Sequence, residues 1–253
     1  MPLPWPLLKT SKTFSPKHLG RALLDLVFPG QCLGCQARLE TTGQALDQVF
    51  CPVCRPQIGW LCPPFCAICG EPGGNCPGHA APGHLNGVWA RAWHQGLLAR
   101  VIGQYKYEKQ IQHGARLAAL LLAESPDWLG ENFELLVPVP LHPRRLRQRG
   151  FNQALLLAKS LKQSGLRSDL LRRVQHRPPQ VNLNRAERQK NVKGIFALNP
   201  RYKVEGRSVL LLDDVWTTGA TMRECARVLA QAGAARVGAL TLTRAPLDEG
   251  KGG

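Results

Sequence analysis

The chain has 253 residues, 44% of them hydrophobic, and a formal net charge of +16, which suits one enzyme-sized globular domain with a small appendage and excludes a low-complexity polymer. No run of eighteen apolar residues occurs, and the opening MPLPWPLLKTSK is interrupted by Pro2, Pro4 and Pro6 before an apolar leader can form. The expectation is a soluble cytoplasmic protein with no stable membrane insertion.

In chain order, Ser15-Pro16 supplies an N-cap and first turn, and Leu19, Ala22, Leu23, Leu26 and Val27 recur on one face up to Pro29-Gly30, predicting a short amphipathic helix. Eight of the nine cysteines follow between Cys32 and Cys76. Without a secretion signal that density points to metal ligation in place of disulfides. Cys32-x2-Cys35 and Cys51-x2-Cys54, fifteen residues apart, have the spacing of paired knuckles that aim four thiolates at one structural zinc. A redox pair would be single and would follow a strand. Cys66-x2-Cys69-x6-Cys76-x2-His79 is a candidate second site of three thiolates and one imidazole, with Cys62 as an alternate ligand; reduced thiols in a loop-rich module, or a single zinc whose ligands are paired differently, are the other readings. The Pro/Gly-rich stretch 71–87 closes this cysteine-rich module, taken as residues 1–86, and a second domain is expected over 87–253.

Strands are expected at 88–93, 135–139, 170–174, 194–198, 209–213 and 236–242, and helices at 97–107, 114–123, 151–161 and 221–229. Strands alternating with helices predict an α/β domain with a doubly wound, mostly parallel sheet. Beyond the C-x-x-C units there is no long internal repeat. Residues 141–193 hold fourteen Lys/Arg against only Asp169 and Glu187, a concentration that suits polyanions better than a mixed solvated face. After Val137-Pro138-Val139-Pro140, a loop of Arg144, Arg145, Arg147 and Arg149 is placed to meet a pyrophosphate, since guanidinium groups grip phosphate oxygens bidentately. Solvated arginines on a surface loop are the plainer alternative. Gly150-Phe151-Asn152 then reads as a turn, an apolar anchor and an N-cap-like amide.

The most informative stretch is VLLLDDVWTTGATM, 209–222. Its apolar run reads as a strand buried on both faces, which places Asp213 and Asp214 at the carboxyl edge where open α/β sheets bind ligands. Thr217, Thr218, Gly219, Ala220 and Thr221 then lead into a helix whose free N–H groups can cradle a phosphate. A ribose accepted by the two acids, with or without magnesium, fits between them and that phosphate. No Walker loop and no dinucleotide G-x-G-x-x-G is present. Cys225, on the helix that follows, reads as a packed small residue and not as a nucleophile.

This stretch resembles the signature of type I phosphoribosyltransferases, whose paired acids hold the ribose hydroxyls of phosphoribosyl pyrophosphate and whose T-T-G-x-T loop holds its 5′-phosphate. Together with LLDLVFPGQCLGC (23–35), LVPVPLHPRRLRQRGFNQALLLAK (136–159) and RPPQVNLNRAERQKNVKGIF (177–196), it is similar to the ComF family of competence-associated, phosphoribosyltransferase-like proteins. The resemblance implies a role in taking up single-stranded DNA during natural transformation, alongside a ComF-type helicase and an import channel. It also implies a phosphoribosyl pyrophosphate site with magnesium, in which Asp213 and Asp214 serve binding and any catalysis. In 177–196, Gln180, Asn184, Arg185, Arg188 and Asn191 resemble the mobile loop that closes over such sites, although an exposed basic helix has the same spacing. The alternative function is an active phosphoribosyltransferase, a pentosyl-transferring enzyme of nucleotide metabolism with an unknown acceptor. Two departures bear on this. The acid that hypoxanthine-type transferases carry four residues after the first of the pair is Thr217 here, and the chain begins Met1-Pro2, not with the N-terminal cysteine of a glutaminase. Tyr105, Tyr107 and Trp93 are available to stack on a base, but aromatic residues at that spacing serve a core equally well.

Overall fold

The computed structural model describes residues 30–39, 47–62, 64–66, 69–73, 84–107, 111–122, 133–175 and 192–246. Within them the strands are β1 Gly87–Trp93, β2 Leu135–Pro138, β3 Leu171–Arg173, β4 Phe196–Leu198, β5 Ser208–Trp216 and β6 Arg236–Arg244. The α-helices are α1 Gly96–Tyr107, α2 Gly114–Leu122, α3 Pro143–Arg149, α4 Gln153–Ser160 and α5 Ala220–Gln231. The amphipathic helix expected before Pro29, most of the Pro/Gly-rich stretch and most of 177–196 lie outside the described residues.

Four strands form one sheet in the order β1-β6-β5-β2, every pair parallel. β3 and β4 make a separate antiparallel pair. Because successive side chains on a strand point to opposite faces, the aliphatic runs of β2, β5 and β6 feed two cores at once. Leu136, Leu210, Leu212, Leu240 and Leu242 pack with Ile102, Leu117 and Leu157 from α1, α2 and α4. On the other face, Val137, Val209, Leu211, Val237 and Ala239 pack with Met222, Ala226 and Leu229 of α5 and with Leu171 and Phe196 of the β3–β4 pair. Each such buried aliphatic is worth roughly 1.5–3 kcal/mol relative to exposure. The α/β, doubly wound, mostly parallel architecture is as expected.

The first core continues into the cysteine-rich module, taking in Cys32, Leu33, Val49 and Phe50. Trp60 bridges Ala92 of β1 in antiparallel fashion, and the Arg91 guanidinium sits 4.6 Å from the centroid of the Trp60 ring. Arg116 of α2 donates to the carbonyls of Gln48 and Val49 at 2.8 and 3.1 Å. No helix among the described residues is long and apolar enough to cross a membrane.

Two local expectations change. β5 does not end at Asp213: it runs on to Trp216, because Asp213, Val215 and Trp216 still find parallel partners in Thr241, Thr243 and Arg244 of β6. The arginine-rich loop after β2 is a helix, α3. Pro143 occupies its first turn, and Nδ1 of the N-cap His142 accepts from the Arg144 amide at 3.1 Å. Asn152 does cap α4, accepting from the Ala154 amide at 3.0 Å, and it also donates to the Val139 carbonyl at 3.0 Å.

Candidate functional site

The thiols of Cys32, Cys35, Cys51 and Cys54 lie within 4.8 Å of one another, and all four cysteines are free of disulfides. Sulfurs around a tetrahedral zinc at about 2.3 Å stand about 3.8 Å apart, and Cys35 and Cys51 are separated by 3.7 Å. The backbone amides of Gly34 and Cys51 point at Cys32 Sγ, each at 3.3 Å. Burial pushes the Cys32 thiol up, but these amides and that of Cys35 outweigh it and bring it down to about 6. Cys54 moves upward because it is buried among the other three thiols. A charged zinc would compensate that crowding, so the donor set fits the expected structural metal.

The Cys66–Cys69 turn repeats the Cys32–Cys35 turn bond for bond. Cys32 N donates to Ala37 O and Gln36 N to Cys32 O, at 2.8 and 2.9 Å. Cys66 N donates to Glu71 O and Gly70 N to Cys66 O, at the same two distances. The residue after the second cysteine is left-handed in both, Gln36 at φ 65° and Gly70 at φ 67°. Cys76 and His79, needed to complete the candidate second site, lie outside the described residues. Cys62 is exposed and stands apart from the four-thiol group.

At the sheet's carboxyl edge, Asp214 is buried and its amide donates to Asp213 Oδ1 at 2.9 Å. Burial, with the charge of Asp214, pushes the Asp213 carboxyl up to about 8. Lys106, from the last turn of α1, places Nζ 2.7 Å from Asp214 Oδ2. At that distance the two form a close ion pair. His94, just past β1, shares Nδ1 with Thr243 Oγ1 at 2.9 Å. Burial and then Lys106 lower its pKa, opposed by Asp214.

The threonine turn starts α5 as expected. Gly219 is left-handed at φ 73°, and a Cβ there would meet the Trp216 ring at 2.2 Å, so only glycine fits. Thr218 Oγ1 accepts weakly from the Ala220 amide at 3.4 Å, and the Thr218 carbonyl takes a 2.6 Å bond from Arg223. Thr217 is exposed, Thr218 and Thr221 are half-buried, and α5 carries no acid in its first turn. A helix N-terminus prefers negative charge, and this first turn supplies none of its own. Cys225 is fully buried behind this turn, as a packing residue.

Arg144 and Arg147 are exposed on α3, and Arg145 is half-buried. Arg173, at the end of β3, is shifted downward first by burial and then by Arg145, and upward by Asp213, so one guanidinium senses both α3 and the acid pair. Gln153 ties the parts together. Its Oε1 accepts from Arg149 at 2.9 Å, its carbonyl accepts from Tyr105 Oη at 3.3 Å, and its side-chain amide reaches the Lys106 carbonyl at 3.5 Å. Tyr105 is therefore a core residue. Lys106, His94 and Arg173 were not expected from the sequence. The carboxyl-edge rule applied to β1 would have found His94. A lysine in a helix's last turn reads as a partner of the dipole, so nothing marked Lys106.

The fold and this edge define a phosphoribosyltransferase-type domain with a zinc ribbon. The family model "Phosphoribosyl transferase domain" matches residues 148–251, and "Double zinc ribbon domain" matches residues 23–84. The chain is 30% identical over 240 residues to "DNA utilization protein YhgH" of Salmonella typhi, covering 87% of this chain and 99% of that one. It is 29% identical over 234 residues to "Competence protein F" of Haemophilus influenzae, covering 86% and 98%. To "Competence protein ComFC" of Bacillus subtilis it is 29% identical over 241 residues, covering 84% and 94%. The chain belongs to the ComF family.

Proposed function

We propose that the protein binds single-stranded DNA and supports its uptake in natural transformation, with phosphoribosyl pyrophosphate held at the carboxyl edge of β5. The observation that carries the ligand reading is the juxtaposition of two acids with a glycine-started, acid-free helix N-terminus on one sheet edge. Asp213 and Asp214 take the ribose hydroxyls, Thr217 to Thr221 the 5′-phosphate, and Arg144 and Arg145 the pyrophosphate, whose charge magnesium helps to neutralise when bound. The DNA reading is supported by the names of the relatives and by the exposed arginines of α3. A ComF-type helicase and the import channel are the partners this role requires.

Salt separates a DNA track from a solvated helix. Affinity for a fluorescent single-stranded oligonucleotide, read by anisotropy, should fall steeply with salt, and replacing Arg144, Arg145 and Arg147 together by Gln should flatten the slope by about two to three counterions. An unchanged slope would remove α3 from the track.

The second reading, phosphoribosyl transfer to an unknown acceptor, is favoured by His94, an imidazole at the same sheet edge, held by Thr243 and shifted downward by burial and Lys106, and so of the kind that serves as a base. Release of pyrophosphate in the presence of candidate acceptors tests it.

A further inference from the structure

The Cys32–Cys35 and Cys66–Cys69 turns share their bond pattern, but they differ in what lies behind them. The Cys69 carbonyl accepts from Arg244 Nη1 at 2.6 Å, and the Glu71 carboxylate pairs with Nη2 of the same guanidinium. The Arg244 and Glu71 side chains are only 5% and 14% exposed. A buried ion pair is weak support for stability, because desolvation offsets the attraction. The ribbon is also fastened to the sheet domain by other means: Trp60 bridges Ala92, Arg116 holds the Gln48 and Val49 carbonyls, and Gly70 lies too close to the Val88 carbonyl for a Cβ to fit. Of these ties, Arg244 is the one that also reaches the threonine turn. It is the register partner of Trp216, and its guanidinium stands 5.8 Å from the centroid of that indole. Arg223, which bonds the Thr218 carbonyl, stands 5.3 Å from the same centroid. The indole in turn fills the space that a side chain at Gly219 would need. One buried guanidinium therefore joins the second turn of the ribbon to the ring that shapes the start of α5.

We infer that the Cys66–Cys69 turn is a remote positioning element of the ligand site, coupled to it through Arg244 and Trp216. Arg244 touches no ligand. While Cys69 and Glu71 hold its planar fork, the indole stays against Gly219 and the threonine turn keeps the shape in which its amides converge on a phosphate. Once the fork is released, the indole shifts and the threonine turn loosens. The inference rests on the phosphate reading of that turn given above. Coupling of this kind is reciprocal: a closed ribbon turn favours phosphate, and bound phosphate favours the closed ribbon turn.

Amide hydrogen exchange on the full wild-type chain, read by NMR with and without saturating inorganic phosphate, tests this. Phosphate should slow exchange at Cys66 and Gly70, whose amides close the second turn, by about fivefold or more. Cys32 and Gln36, which close the matching first turn, are the internal control and should change by about twofold or less. Equal slowing at both turns would be general stabilisation by a ligand and overturns the inference, as does no slowing at either. Arg244→Lys keeps the charge but not the planar fork, and should reduce the selective slowing to about twofold or less. Glu71→Gln, a change on the ribbon, should weaken phosphate by about fivefold or more in calorimetry; affinity within about twofold of wild type also overturns the inference. The wild-type measurement decides alone if either variant fails to fold. If wild type binds neither phosphate nor phosphoribosyl pyrophosphate, the ligand reading falls and this inference with it. Binding without selective slowing removes only the coupling.

Discussion

The four-thiol cluster and the edge of β5 are both built from acids of a kind, yet their polar groups aim in opposite senses. In the ribbon, amides of Gly34 and Cys51 point at Cys32 Sγ and the four sulfurs face one another. At the sheet edge, Asp214 Oδ2 has Lys106 as its one ion-pair partner among the described residues, Thr217 is exposed, and the first turn of α5 has no acid of its own. A site that closes on itself leaves a metal no open position, which makes it structural. A site whose donors and acceptors look outward has the character of the ligand site proposed above.

The most drastic way to break the contrast is to open the closed site. Cys51→Ser should abolish soluble expression or strip the zinc, since structural zinc contributes on the order of 10–16 kcal/mol in small modules. Val49 and Phe50, both in the shared core, would carry the damage to α1 and α2. A folded variant with full zinc by elemental analysis would show that Cys51 is not a ligand.

The open site should yield a selective loss. Asp214→Asn should weaken phosphoribosyl pyrophosphate about ten- to a hundredfold by calorimetry and leave inorganic phosphate nearly untouched, because charged hydrogen bonds of this kind are worth roughly 1.5–3 kcal/mol. Thr218→Val, at the turn itself, should weaken both ligands. Equal losses for both ligands in Asp214→Asn would assign the acids to the turn's fold and not to a sugar.

The smallest effect sharpens the comparison through pH. A carboxyl raised to about 8 in the folded chain stays protonated there while the unfolded chain ionises near 4, so its contribution to stability is full below about pH 4 and is lost as pH rises towards 8. Asp213→Asn removes that loss. Its melting temperature should therefore exceed that of wild type by a margin that widens from about pH 5.5 to about pH 8.5. Parallel melting curves at all pH values would mean that Asp213 is ionised in the native protein.

What could be read from the sequence was local. The knuckle spacing of Cys32, Cys35, Cys51 and Cys54, the aliphatic runs of β2, β5 and β6 and the Asn152 cap each depend on residues close in the chain, where period and turn chemistry decide. The failures have nameable causes. Arg144 to Arg149 read as loop because arginines dominate the stretch, although Pro143 is a helix start signal. Polar residues usually mark a strand's end, so β5 reads as stopping at the acids, whereas its extension to Trp216 is dictated by Thr241 to Arg244, far along the chain. Lys106 and Arg173 join the site through topology alone. Nothing near either residue announces the acid it will face, so only the assembled sheet brings them there.

The order β1-β6-β5-β2 has a bearing on how the molecule is made. The first strand of the sheet has the last one as its sheet partner, and Arg244 at the end of that last strand donates to the Cys69 carbonyl at 2.6 Å, pairs with Glu71 and faces the Trp216 ring at 5.8 Å. On the ribosome, β1 has its Trp60 bridge on one edge but must wait for its parallel sheet partner until some 150 further residues have been synthesised. Such distant pairings are slow to close. Until then the nascent chain leaves the β6-facing edge of β1 open, so its demand for chaperones should fall abruptly once β6 emerges and docks there.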